Sequence, residues 1–385
     1  MNKTSNILVV IFILAFINPI CSQEILDVSK NTANVTIPFY SKLNGYFSYR
    51  IPTVIKSKRA IIAFAEGRKN STSDFGNIDL VYRRSLDLGK SWEPIKILYD
   101  QDSIAVQNPV PIFIEDQNKI VLLFNVTSKS EHDILNSDYD QNKQRKAFLT
   151  TSFDDGRTWS KPQEITSQVK LPHWRWHAIG PVHGIQLKNK ANKGRLVAPV
   201  AISIEKGNSA YSMALIYSDD HGITWNIGAV DNNLSDKVQS NETTIVELND
   251  GTIYVNTRDH LGGSRLMNRG ETYSSDGGLT FNKTIIESDK FPSPIVQASL
   301  LRWDSAKQGK KDLILFSTPS NNKKRENLVV MASYDEAKTW EIFIKVHEGF
   351  SAYSDMVKLN KKWLGVIYET DNYKKIEFKR VKLNQ

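Results

Sequence analysis

The chain has 385 residues, 40% of them apolar, with 50 Lys and Arg against 42 Asp and Glu and a single cysteine. That apolar content can fill a large core and excludes a disordered chain, while one cysteine excludes an intrachain disulfide framework and a thiolate metal cluster. The formal charge of +8 is scattered, with no aromatic-interleaved basic stripe of the kind nucleic acid requires, and it suits steering of anionic ligands.

The first feature in chain order is the apolar run ILVVIFILAFI, Ile7 to Ile17, preceded by Lys3 and followed by the small residue Ser22. Eleven residues are too few to cross a bilayer, and the flanks read as a secretory signal peptide. We expect cleavage near Ser22–Gln23, with residues 1–22 as the signal and 23–385 as one secreted, periplasmic or cell-surface domain without stable membrane insertion. Cys21 falls at the edge of this segment; a lipoprotein anchor there is the alternative, though NPIC is a poor match to the usual motif.

Short apolar or alternating runs follow along the chain, among them IIAFAE, IDLVYRRS, KIVLLFNV, KAFLTTS, GRLVAPVAI, MALIYS, TTIVEL, TIYVNTR, DLILFS and LVVMAS. They predict strands, and helical periodicity beyond ten residues is scarce. Four of these runs and a fifth, GETYSS, lead into a related octet: SLDLGKSW from Ser85, SFDDGRTW from Ser152, SDDHGITW from Ser218, SSDGGLTF from Ser274 and SYDEAKTW from Ser333. The starts lie 67, 66, 56 and 59 residues apart, a period that fits one four-stranded sheet with its loops. The predicted fold is therefore all-β, a β-propeller, and a mature length of about 363 residues at about 60 per unit gives six blades of four antiparallel strands.

Within the octet, Asp at the third position can accept from backbone amides, Gly at the fifth permits a positive φ, and the terminal aromatic can pack back on a sheet. This reads as a turn. No octet supplies the acidic series with a distal Glu that a calcium loop needs, so no metal and no cofactor are expected. Ala337 replaces the glycine in the fifth copy and predicts a modified turn there.

These octets resemble the Asp-boxes of the sialidase superfamily, and GYFSYRIPTV resembles that family's N-terminal arginine motif. Carried over residue by residue, the resemblance implies Arg50 of YRIP and Arg258 of VNTRD as two members of an arginine triad, with Arg325 of KKRENLVV as the third. It implies Arg68 of AFAEGR as an accessory arginine, Asp74 of TSDFGN as the acid/base, Glu242 of NETTIVEL as the catalytic glutamate and Tyr353 of AYSDM as the nucleophile. It spans about Tyr46 to Tyr368, and the activity it implies is hydrolysis of terminal α-linked sialic acids from sialylated glycoconjugates or oligosaccharides.

The same residues make chemical sense without the family. A sialic acid bears a carboxylate on its anomeric carbon, and three arginines offer permanently charged, planar donors to it. A carboxylate nucleophile would meet that carboxylate with like-charge repulsion, whereas a neutral phenol avoids it, provided that a base such as Glu242 takes its proton. Sialidases stand apart from two-carboxylate glycosidases on this account. Asp74, in a Ser/Asp/Gly-rich loop, would protonate the leaving oxygen.

Softer candidates remain. Asn108 of VQNPVP is expected near the substrate's acylamino group by resemblance, with an Asn-Pro turn as the alternative. In HWRWHAIGPVHGIQL, Val182 stands where the family commonly has a second glycine, Trp174 and Trp176 either line the leaving-group side or pack internally, and His173, His177 and His183 match no metal-binding spacing. Two other functions are open at this point: sialyl transfer to a sugar acceptor, and a non-catalytic glycan-binding propeller.

Overall fold

The β-branched and aromatic runs form strands because one face of each can be buried against a neighbouring sheet. In the computed structural model, which describes residues 25–138, 144–207, 211–232, 238–262 and 268–383, these strands make four mainly antiparallel sheets. The signal segment expected at 1–22 lies outside the described residues.

Each stretch of chain runs as an up-and-down meander. Ser48–Lys56, Ile61–Arg68, Ile78–Ser85 and Lys96–Tyr99 form the first run, and Ala105–Ile114, Lys119–Thr127, Lys146–Ser152 and Gln163–Glu164 the second; one parallel pairing, Ile78 with Ala105, joins them into a single sheet. Leu196–Ser203, Tyr211–Ser218 and Asn226–Val230 follow, with His177–Ile179 and Ile185–Gln186 on their inner edge. The fourth run is Ser240–Glu247, Ile253–Asp259, Arg269–Ser274 and Ile286–Glu287. The last sheet contains Ser299–Asp304, Leu313–Pro319, Glu326–Ser333, the long Glu341–Lys358, Trp363–Thr370 and Lys375–Lys382, and its far edge is the N-terminal strand Val35–Tyr40. Both ends of the described chain are thus held in one sheet.

The core lies between successive runs rather than inside any one of them. Ile62, Phe64 and Leu80 of the first run pack against Ile120, Leu122 and Phe124 of the second, and Val121 and Leu123 pack in turn against Leu196, Ala198 and Ile216. The same pattern recurs down the chain and returns from Phe378 to Val54 and Ala63 at the seam between the ends.

The octets sit at the turns after the third strands, and their chemistry repeats. In the first, Ser91 N and Lys90 N donate to Asp87 Oδ1 at 2.9 and 3.0 Å, Ser91 Oγ donates to Oδ2 at 2.6 Å, and Gly89 N donates to Ser85 Oγ at 2.7 Å. Asp154, Asp220, Asp276 and Asp335 hold equivalent bonds. The terminal aromatic docks on the preceding run: Trp159 packs edge-on to Phe64 at 5.8 Å, and Trp92 meets Phe378 at 5.3 Å across the seam. The expected modification at Ala337 does not occur. Ala337 takes φ 65° and its N–H still donates to Ser333 Oγ at 2.9 Å, because its methyl group fits in the adjoining core.

Candidate active site

Four of the innermost strands carry a register slip at a candidate residue. The slips fall between Arg50 and Thr53, Gln107 and Val110, Ser240 and Thr243, and Ser351 and Ser354, so Asn108, Glu242 and Tyr353 lie within theirs and Arg50 stands at the edge of its own. A bulge inserts an extra residue and re-aims its side chain, here away from the alternation that would bury it between sheets. Ile51, at φ 56°, and Asn108, also at φ 56°, hold the left-handed backbone, which is rare for a β-branched residue such as Ile51.

These strands and the loops beside them bring seven of the candidates together. Tyr353 Oη donates a very short hydrogen bond to Glu242 Oε1, and Arg258 Nη1 donates both to Glu242 Oε2 at 2.7 Å and to Tyr353 Oη at 3.3 Å. Hairpin pairing of Thr243 with Thr257 is what faces Glu242 toward Arg258. Arg50 Cζ lies 5.5 Å from the centre of the Tyr353 ring, and Arg325 Cζ lies 5.7 Å from it. Arg50 Nη1 is also 4.0 Å from Asp74 Oδ1, and Arg68 Nη2 is 2.6 Å from that same oxygen. Arg325 is steadied by the Tyr373 hydroxyl and the Ile295 carbonyl, both at 2.9 Å.

Electrostatics separates the two prospective proton carriers. Burial pushes the Tyr353 phenol well above its ordinary value and Glu242 adds to the effect, against Arg258 and Arg325, so the tyrosine is neutral with its proton shared toward a carboxylate. Asp74 projects into the cleft with 79% of its side chain accessible. Protein packed around the loop pushes its carboxyl up, but Arg68 and Arg50 outweigh that and, with Arg325, hold it below the usual carboxylate range.

Other residues were not singled out from the sequence. Glu369, fully buried, accepts from Arg50 Nε at 2.6 Å, from Ile51 N at 2.9 Å and from Tyr353 N at 3.2 Å. Glu66 accepts from Arg68 Nη2 at 2.7 Å and from Asn108 N at 3.1 Å. The available signal was an acid inside an otherwise apolar strand, as in WLGVIYET and IIAFAEGR, since a buried carboxylate requires a partner. Asn108 lies in a strand bulge rather than a turn, and its Nδ2 donates to Ile179 O at 3.2 Å.

The tryptophan candidates resolve as packed aromatics. Trp174 is fully buried in a core cluster, and Trp176 is buried with the Arg145 guanidinium 4.6 Å over its ring. His177 is buried, held down to about 3 by that burial, with Nε2 3.0 Å from Val169 O; His183 pairs with Asp355 at 2.7 Å. Among the described residues, no group of three His, Cys, Asp or Glu side chains is placed to hold a metal ion, and no helix is long and apolar enough to cross a membrane.

Residues 59–366 match the BNR repeat-like domain, four-fifths of the chain. The chain belongs to the BNR-repeat exo-α-sialidase family. Membership in this family makes it a glycoside hydrolase. Similar members include the exo-alpha-sialidase of Aspergillus fumigatus, 29% identical over 85% of this chain and 80% of that protein, and the sialidase of Bacteroides fragilis, 28% identical over 87% of this chain and 62% of that one. Among solved structures, Hadza microbial sialidase Hz136 superposes with a TM-score of 0.78 at 27% identity, covering 91% of this chain and 68% of its own. This BNR-repeat sialidase chain thus spans about three-fifths to four-fifths of those three relatives.

Proposed function

We propose that the protein is a secreted exo-α-sialidase that removes terminal sialic acids from glycoproteins, glycolipids or oligosaccharides with net retention at the anomeric carbon. The observation that carries this reading is the Tyr353–Glu242–Arg258 cluster facing Arg50 and Arg325, with Asp74 tied to Arg50 and Arg68 beside it. Arg50, Arg258 and Arg325 bind the substrate carboxylate. Tyr353 Oη attacks the anomeric carbon as its proton passes to Glu242, while Asp74 protonates the departing glycosidic oxygen. Asp74 then takes a proton from water, the resulting hydroxide displaces the tyrosyl oxygen, and Glu242 returns the phenol's proton. Two inversions give retention.

The neutral phenol is required because the bound carboxylate would repel a charged nucleophile, and the arginine cluster offsets that carboxylate. Arg68 and Glu66 orient Asp74 and Asn108 at the edge of the cleft. For the architecture we infer six blades. The cycle of neighbouring inner strands supports this, running from Ser48–Lys56 through Ala105–Ile114, Ile185–Gln186, Ser240–Glu247, Ser299–Asp304 and Glu341–Lys358 back to the first. Residues 23–385 form the one catalytic domain, and the run at Ile7–Ile17 supports secretion.

The test is turnover of an aryl sialoside with the anomeric configuration followed by NMR. We expect α-sialic acid as first product and loss of activity in Tyr353→Phe. Wild-type turnover in that variant, or a β-configured first product, overturns the mechanism. Sialylated acceptor as the main product in excess galactoside replaces hydrolysis by transfer.

A further inference from the structure

Arg145 is 3% exposed, and among the described residues no carboxylate comes within 4.0 Å of its guanidinium. Burying an unpaired cation is costly, and here burial holds the group down to about 10, against Glu66, Glu131 and Asp74. Its directed contacts are few. The guanidinium lies over the Trp176 ring, and Nη1 donates to Gln107 Oε1 at 2.9 Å. Gln107 is itself buried, and its Nε2 donates to the backbone carbonyl of Asp74 at 2.7 Å.

The Asp74 loop, residues 69–77, has no strand or helix of its own, and the Asp74 side chain is open to the cleft. Arg68 Nη1 holds the loop at the Thr72 carbonyl and Ser48 Oγ at the Ser71 carbonyl, at 3.3 Å, while two further tethers act on Asp74 itself. Arg68 grips the carboxylate, a contact that weakens whenever the carboxyl is protonated. The Gln107 bond to the carbonyl is indifferent to protonation, and Arg145 fixes which end of the Gln107 amide faces the loop, because a guanidinium can only donate and so must meet the amide oxygen. Gln107 also sits at the bulge that sets Asn108, so the tether is anchored in a strand rather than a second loop.

We propose that Arg145, acting through Gln107, is a positioning residue that keeps Asp74 in register with the leaving oxygen throughout its protonation cycle. The proposal rests on Asp74 being the acid/base. Proton donation matters most when the leaving group is poor, so the loss should depend on the leaving group, which a merely structural role would not produce.

The experiment compares kcat/KM on sialyllactose, with an alkyl leaving group, and on 4-nitrophenyl sialoside, with an activated one, for Gln107→Met, Arg145→Met, Arg145→Lys and the double Met variant. We expect a loss of roughly 10- to 100-fold on sialyllactose and under about threefold on the aryl substrate in both single Met variants. Arg145→Lys should recover part of that loss, and the double variant should fall no further than either single one. If Arg145→Met does not fold, Gln107→Met, which keeps the cation and deletes the link, carries the same comparison. Equal losses on the two substrates, or additive losses in the double variant, overturn the proposal. Asp74→Ala separates the two layers: if its own loss is not leaving-group selective, the acid/base assignment falls and takes this proposal with it. If it is selective while Gln107→Met is not, only the tether is wrong.

Discussion

Glu369 and Arg50 form a buried pair, with Nε donating to Oε1 at 2.6 Å, although 319 residues separate them in the chain. The same carboxylate accepts the N–H of Ile51 and that of Tyr353. One acid therefore fixes Arg50, the left-handed backbone of Ile51 beside it and the strand that carries Tyr353. Truncating it to alanine leaves the buried Arg50 without its closest carboxylate, and should destabilise the fold by about 3–5 kcal/mol, measured by urea unfolding. Glu369→Gln should fold and raise KM for an aryl sialoside by roughly tenfold, reflecting the lost charge-assisted bond. An unchanged KM in the glutamine variant would show that Arg50 does not depend on Glu369 for its placement.

Asp74 should titrate differently in the free and the loaded enzyme. In the free protein Arg68, Arg50 and Arg325 outweigh the desolvation by surrounding protein that pushes it up and keep it below the ordinary carboxylate range. A bound carboxylate offsets the field of Arg50 and Arg325, so the Asp74 pKa rises on binding. A general acid works below its pKa, and the alkaline limb of kcat should therefore lie at higher pH than that of kcat/KM, by about one unit or more. Coincident limbs, or a limb that survives in Asp74→Asn, sink the assignment.

The five octet aspartates make part of the protein's stability dependent on pH. Partial burial pushes Asp87 up, but donation from Ser91, Ser85 and Lys90 outweighs it and holds the group at about 2; Asp154, Asp220, Asp276 and Asp335 are lowered for the same reason. A group depressed on folding contributes stability that is complete above its unfolded pKa, near 4, and is lost as pH falls through the folded value. The difference in Tm between wild type and Asp87→Asn should be constant from about pH 7 to 5 and shrink steadily from about pH 4 to 2. A difference that grows on acidification contradicts this account.

The fifth octet tests how much the turn needs its glycine. At φ 65° Ala337 carries a left-handed cost of about 1–2 kcal/mol, yet its methyl is buried and glycine would restore unfolded-chain entropy. Ala337→Gly should therefore be neutral to within about 1 kcal/mol. Gly89→Ala, at φ 82°, places a Cβ into the Phe378 ring across the seam and should cost roughly 2–4 kcal/mol in chemical unfolding. If both substitutions have the same effect, backbone conformation rather than the seam contact sets the octet's composition.

The chain by itself determined whatever depends on neighbours in sequence. Octet spacing marked the repeated units, and Ser85, Asp87, Gly89 and Ser91 could be read as a turn because the side-chain bonds of Ser85, Asp87 and Ser91 close within the octet. The candidate arginines, Asp74, Glu242 and Tyr353 were legible through the resemblance, as residue types in motifs. Tertiary structure decided their geometry: strand alternation would send neighbouring side chains to opposite faces, and only the register slips at Arg50, Asn108, Glu242 and Tyr353 turn them toward one cleft. It also decided the supports. Glu369, Glu66, Gln107 and Arg145 are single residues in strands or at their edges, and apart from Arg68, two residues along from Glu66, their partners lie on other strands or loops. A carboxylate or guanidinium buried in a sheet declares that it has a partner, but which partner follows only once the packing of the sheets has brought the two together.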